Sequence, residues 1–254
     1  MLSRYKNLFR HTAITLCLYA CTLLFSTSAI SQEPQIAVYK LNGLINQQQT
    51  GSYNKLLKRI QALNVSFHLQ YSPIIRAKHN FKLRLADCIA PSDEDGTIFN
   101  FPTIQSEPFN YAKGYVFTRH DDDTISDLQA LKGKKVGVRT GMRFSAEFEQ
   151  LRNSGYFEVE QVRDIALNYR KLIAKRIDAF AAYTPDIWVM LNNKELSQLH
   201  YDASHTMQKH SERVVCHASP SNQVFIDKFN LALQQLKQQG ELKKLLGIAY
   251  TFDN

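Results

Sequence analysis

Leu131-Lys132-Gly133-Lys134-Lys135-Val136-Gly137-Val138-Arg139, running into Thr140-Gly141, is the stretch that decides the fold class. A basic glycine turn leads into a short run whose two valines favour a pleated, buried strand. Thr140-Gly141 then reads as a turn. Residues 143–152 follow with Phe144, Phe148 and Leu151 at helical spacing, which predicts a helix with one apolar face. A strand, a tight turn and a covering helix make one α/β step.

The same step recurs on both sides. Downstream, strands are predicted near 157–162 and 178–182, alternating with helices near 168–175 and 185–192. A last strand over 214–219 precedes a helical C-terminus. Upstream, residues 36–39 and 65–71 read as strands around a helix over 53–63. Ser72-Pro73 predicts another helix start, with serine as cap and proline at the first helical position. That helix is expected to run to about Leu85 before an extended segment at 86–89. The two blocks meet near Thr118, beside the charged run Arg119-His120-Asp121-Asp122-Asp123. Alternating strands and helices in two blocks predict an α/β chain of two lobes, each a mostly parallel sheet with flanking helices.

The first thirty-one residues have a different character. Arg4, Lys6 and Arg10 precede an apolar run over residues 12–25, shorter than the ~20 residues of a membrane span. Ala29-Ile30-Ser31 satisfies the small-x-small rule for signal-peptide cleavage, so residues 1–31 are expected to be removed on export to the periplasm. Leu18-Tyr19-Ala20-Cys21 resembles a lipoprotein box. Tyr19 fits it poorly, and apolar residues continue past Cys21.

Cys17 and Cys21 lie in this leader, leaving Cys88 and Cys216 in the mature chain. In an oxidising compartment two such cysteines are expected to form a disulfide. The chain carries a formal +8, three charges of which sit in the leader. The remaining lysines and arginines are scattered rather than striped, which argues against nucleic-acid binding.

Four segments give the chain a resemblance to the extracellular solute-binding proteins of the amino-acid-transport type (family 3, type II periplasmic binding proteins). They are Gly51-Ser52-Tyr53 before Leu56-Leu57; Pro73-Ile74-Ile75-Arg76-Ala77; Ser106-Glu107-Pro108-Phe109 with the 131–141 stretch; and Leu172-Ile173 with Arg176-Ile177-Asp178-Ala179-Phe180. The resemblance implies one lobe over residues 34–117 and 214–254 and a second over 118–213. Two hinge strands would join them, near 116–119 and 212–215. It implies capture of a small polar or charged solute between the lobes, a monomer, and an inner-membrane ABC permease or sensor receptor as partner.

Ligands of open α/β sheets collect beyond the carboxyl ends of strands, where helix N-termini present free N–H groups. Tyr39 and Asn42 stand after the first strand, Arg76 in the first turn after Ser72-Pro73, and Thr140, Gly141, Met142 and Arg143 after the decisive strand. Glu107 and Phe109 hold positions that the resemblance puts at the cleft rim. The family's acidic anchor for an α-ammonium corresponds to Tyr183 here. Its carboxylate-binding arginine has no counterpart in Gly96-Thr97-Ile98-Phe99-Asn100-Phe101. A standard amino-acid clamp thus lacks two charged contacts.

No cofactor or metal motif is present: G-x-S-x-G, H-E-x-x-H and C-x-x-C are all absent. His200, His205 and His210 recur every five residues, a spacing that does not share a helix face. His120 beside the three aspartates is read as a solvated loop. Binding without chemistry is the expectation. The alternative is a dehydratase-like enzyme on the same fold, for which Glu107 is the nominated general acid.

Overall fold

A computed structural model describes residues 33–93 and 96–252. The leader, its cleavage site near Ser31, and Cys17 and Cys21 lie outside the described residues. Two parallel pairings open the chain. β1 (Gln35–Tyr39) lies beside β2 (His68–Ser72), with Tyr39 opposite Ser72, and beside β3 (Cys88–Ser92). Parallel neighbours require crossover connections. α1 (Ser52–Gln61) supplies the first, burying Tyr53, Leu56, Leu57 and Ile60 on one face. α2 (Ile74–Lys82) supplies the second, burying Ile74, Ala77 and Phe81.

The predicted serine cap is not made. Ser72 is the last residue of β2, Pro73 occupies the cap position without a side-chain hydrogen bond, and the Ser72 hydroxyl is buried without a partner. The short α3 (Gly96–Phe99) and β4 (Thr103–Gln105) follow.

β5 (Asn110–Arg119) carries the chain into the second lobe. There β6 (Lys135–Arg139) lies parallel to both β7 (Glu158–Val162) and β8 (Ala179–Tyr183). α4 (Ala146–Asn153) and α5 (Ile165–Ile173) cross between them. Asp164 caps α5 by accepting from the Ala166 N–H at 3.0 Å. α6 (Thr184–Met190), α7 (Asn193–Leu196) and the two-residue β9 (Leu199–His200) complete the lobe.

β10 (Gln208–His217) returns, antiparallel first to β5 and then to β3 and β4. The full order is β2-β1-β3-β10-β5-β8-β6-β7. Each lobe is therefore a parallel trio with an antiparallel hinge strand at its inner edge. α8 (Pro220–Gln238) and α9 (Glu241–Leu246) return to the first lobe, where the Arg59 guanidinium grips Glu241 through both carboxylate oxygens at 2.7 and 3.2 Å.

Packing and pairing show where each hinge strand changes lobe. Ala112, Tyr115, Val116 and Phe117 pack in the second lobe's cores, whereas Phe109 packs in the first. Along β5 the change of core is thus near Asn110. Along the second hinge strand it lies at 212–213, where β10 changes partner and its pairing with β3 shifts register. Cys88 and Cys216, fully buried and directly opposite in β3 and β10, are joined by a disulfide inside the first lobe.

Candidate functional site

A cavity of about 310 Å³ opens where both lobes meet the hinge. This is at the small end of the usual size range for small-molecule sites. The first lobe contributes Tyr39, Ile74, Lys78 and the turn Pro91-Ser92-Asp93. The second contributes Gly141, Met142, Arg143, Phe144, Tyr183 and Asp186, and β10 contributes Gln208, His210 and Glu212.

The aromatic wall is fixed by its own contacts. Tyr183 ends β8, only 5% exposed, and stacks on Phe144 with ring centroids 5.0 Å apart. Its hydroxyl donates to the Arg143 carbonyl at 2.6 Å and lies 3.2 Å from the Gln208 amide oxygen. Burial holds the phenol far above its ordinary range, so it stays neutral. Across the cavity, the Tyr39 hydroxyl donates to the Pro91 carbonyl at 2.7 Å.

The carboxylates lie deep. Asp186, on the first turn of α6, is 6% exposed and faces the Arg139 guanidinium at 3.8 Å. Burial pushes its pKa up to about 6, with Arg139 pulling the other way. Glu212, 5% exposed, sits opposite Asn110 at the crossover of the hinge strands. It accepts a hydrogen bond from the Tyr53 hydroxyl, which accepts in turn from Asn110 Nδ2 at 2.7 Å. Burial raises Glu212 to about 8; the Tyr53 hydrogen bond opposes this and nearby Asp186 adds to it. Asp93 sits 3.8 Å from His210, half-exposed.

Contacts across the mouth hold the lobes together on this side. Asn42 Nδ2 donates to Asp164 at 2.6 Å, the Arg139 guanidinium donates to the Lys40 carbonyl, and Gly141 packs on Ile74. Beyond Ile74 lies a second, larger space of about 840 Å³, lined among others by Lys40, Asn42, Gln47, Gln48, Thr140 and Arg163. Its amide lining comes largely from exposed loop residues, and no buried titratable pair converges there.

Of the residues singled out from sequence, Tyr39, Gly141, Met142, Arg143 and Tyr183 line the inner cavity, and Thr140 lines the outer space. Arg76 does not reach either; it is exposed, and Lys78, half a turn on, lies on the cleft side of α2 instead. Glu107 is exposed and pairs with Lys237 at 3.3 Å, away from the cavity. Phe109 is buried edge-on against Tyr53 at 5.3 Å. The helix expected from 143 begins only at Ala146, capped by the Ser145 hydroxyl. Residues 141–145 therefore meet the cleft as a loop, not as a helix N-terminus.

Asp186, Glu212, Asp93 and Lys78 escaped the sequence reading. Asp186 had a visible signal, since it follows the Tyr183 position by less than one helical turn and restores a carboxylate there. Glu212 was read only as hinge. In the charged run, Arg119 bridges to Asp122 at 2.7 Å, and the His120 ring lies beside His200. Among the described residues no group of three or more His, Cys, Asp or Glu is placed to hold a metal. No described helix is long and apolar enough to cross a membrane.

No protein-family model matches the sequence, and no curated protein does. Solved structures do match in shape. The GluR0 ligand-binding core from Nostoc punctiforme, in complex with L-glutamate, aligns with TM-score 0.65 at 18% identity, covering 84% of this chain and 96% of that one. The amino acid ABC transporter substrate-binding protein AbpA from Streptococcus pneumoniae, bound to L-arginine, aligns with TM-score 0.62 at 19% identity, covering 85% and 94%. The ancestral amino acid-binding protein AncCDT-1, a precursor of cyclohexadienyl dehydratase, aligns with TM-score 0.63 at 14% identity, covering 86% and 95%. At these identities the likeness shows the fold. The two-lobed periplasmic-binding-protein architecture expected from sequence is the one present.

Proposed function

We propose that this chain is an exported solute-binding protein that captures a small polar or charged, amino-acid-like solute between its lobes. It delivers that solute to an inner-membrane ABC permease or reports it to a sensor receptor, acting as a monomer in the periplasm after cleavage near Ser31. One observation carries this reading: the titratable groups of a single cavity come from both lobes and from the hinge. A solute touching both walls favours the closed arrangement, which is how ligand contacts shift a two-state opening. The structural neighbours that hold glutamate and arginine support the same use of the fold.

The dehydratase reading has one observation in its favour. Glu212 retains its proton near neutrality, as a general acid must. Yet it faces Asp186 and Asp93, a poor seat for an anionic substrate. Glu107, nominated from sequence for that role, lies outside the cavity.

A thermal-shift screen of amino acids, amines, small acids and sugars tests the trap. A ligand at 100-fold excess over Kd stabilises by about 2.7 kcal/mol. Turnover of prephenate or arogenate by the purified protein would replace binding with catalysis.

A further inference from the structure

We infer that the cavity is shaped for a small organic cation, its ammonium or guanidinium group seated against Glu212 at the hinge and its apolar part against the Tyr183–Phe144 stack. The inference rests on the cavity being a solute site and names the class of solute.

Charge is sorted by depth. The nearly buried carboxyl groups that line the cavity are Asp186 and Glu212, and the equally buried Tyr183 phenol stays neutral beside them. Of the lining cations, Arg143 is exposed at the rim and Lys78 is half-buried on α2. Arg139 is directed to Asp186 and to the Lys40 carbonyl. A carboxylate entering this space meets acids at its floor. A cation meets acids at its floor, while its apolar part meets the Tyr183 and Phe144 side chains on the wall.

Glu212 is also the group best placed to respond. Tyr53 on α1 and Asn110 on β5 hold its carboxyl, and Asp186 on α6, Asp93 after β3 and Tyr183 on β8 bear on it electrostatically. His210 shares its strand and pairs with Asp93. Glu149, Lys78 and Arg143 complete the charged lining. Without a ligand, burial favours the protonated acid. An arriving cation favours the carboxylate, so binding should expel a proton, and the solute should bind more tightly as pH rises. Glu212 lies where β10 changes partner, which couples that charge to the hinge.

Isothermal titration of the mature protein with putrescine, agmatine, L-arginine, L-glutamate, succinate and glucose, in two buffers of different ionisation heat at pH 6, 7 and 8, tests this. The expected result is that cations bind, that agmatine binds within about tenfold of arginine, and that Kd falls by up to about tenfold per pH unit. Up to one proton is released per cation bound. Glu212→Gln should remove the proton release and weaken cations at least about tenfold; the proton count on the unaltered protein stands even if that variant fails to fold. Binding of glutamate or succinate in preference to the cations overturns the inference and leaves the solute trap intact. So does cation binding without proton exchange, or an arginine preference over agmatine beyond tenfold. Silence from every solute overturns the trap as well.

Discussion

Asn42 and Asp164 join the two lobes through one hydrogen bond of 2.6 Å, and the aspartate that accepts it also caps α5. One carboxylate oxygen takes the Asn42 amide and the other takes the Ala166 N–H. The loop after β1 is thereby tied to a helix start in the second lobe.

Removing the two partners separates these roles. Asn42→Ala should leave unfolding stability within about 0.5 kcal/mol, since it deletes a half-buried contact. It should weaken binding of the solute found by screening roughly threefold to tenfold, because closure loses one bond. Asp164→Ala should show the same loss of affinity and also cost about 1 kcal/mol of stability through the cap. Denaturant unfolding beside titration calorimetry reads both. Equal stability losses in the two variants would contradict the division.

The acids at the hinge set an unusual pH dependence. An unfolded glutamate loses its proton near 4.5, whereas Glu212 in the folded chain keeps its proton to about 8. Between those values the folded state binds more protons, so its stability falls as pH rises, by up to about 1.4 kcal/mol per unit from this group. Asp186, held at about 6, adds to the fall at the acidic end. Unfolding free energies at pH 5.5, 7 and 8.5 should therefore decline, and Glu212→Gln should flatten the decline above pH 6. A rising profile would show that Glu212 is ionised in the folded protein.

Cys88 and Cys216 cross-link β3 to β10 over a sequence separation of 128. A loop of that length restricts the unfolded chain strongly, and removing such a link costs about 2–5 kcal/mol. The double alanine variant should melt roughly 5–15 °C lower. Mature protein unfolded without reductant should show no free thiol. Two reactive thiols in that assay would refute the bond.

The parts of this molecule that follow local periodicity were readable in the chain. The valines of β6 and the apolar face of α1 express short-range preferences that need no partner. Boundaries that depend on tertiary pairing were not readable. Ser72 looked like a cap because serine before proline is a local signal, but pairing with Tyr39 in β1 extends β2 through it. Phe144 looked helical because its spacing fits, yet it stacks on Tyr183 and leaves Ser145 to start the helix. The cavity acids were obscured for a deeper reason. Glu212, Asp93 and Asp186 come from three distant segments, and only the crossing of β5 and β10 brings them to one place.

Gly141 packs against Ile74 of the first lobe, and a pair of variants isolates its contribution. Its φ is +82°, which disfavours a side chain, and a Cβ there would stand 2.4 Å from Ile74 Cγ2 in the first lobe. Gly155 offers the control, with φ of +72° and nothing within 4 Å of the added carbon. Either glycine changed to alanine should cost about 1 kcal/mol of stability from backbone conformation alone. Only Gly141→Ala should also push the lobes apart, so only it should weaken the solute, by tenfold or more on the order of the 1.4 kcal/mol that such a factor represents. Calorimetric titration of both variants with the same ligand decides the matter. If Gly155→Ala weakens the solute as much as Gly141→Ala, the effect is one of general stability. In that case the Ile74 contact does not govern closure.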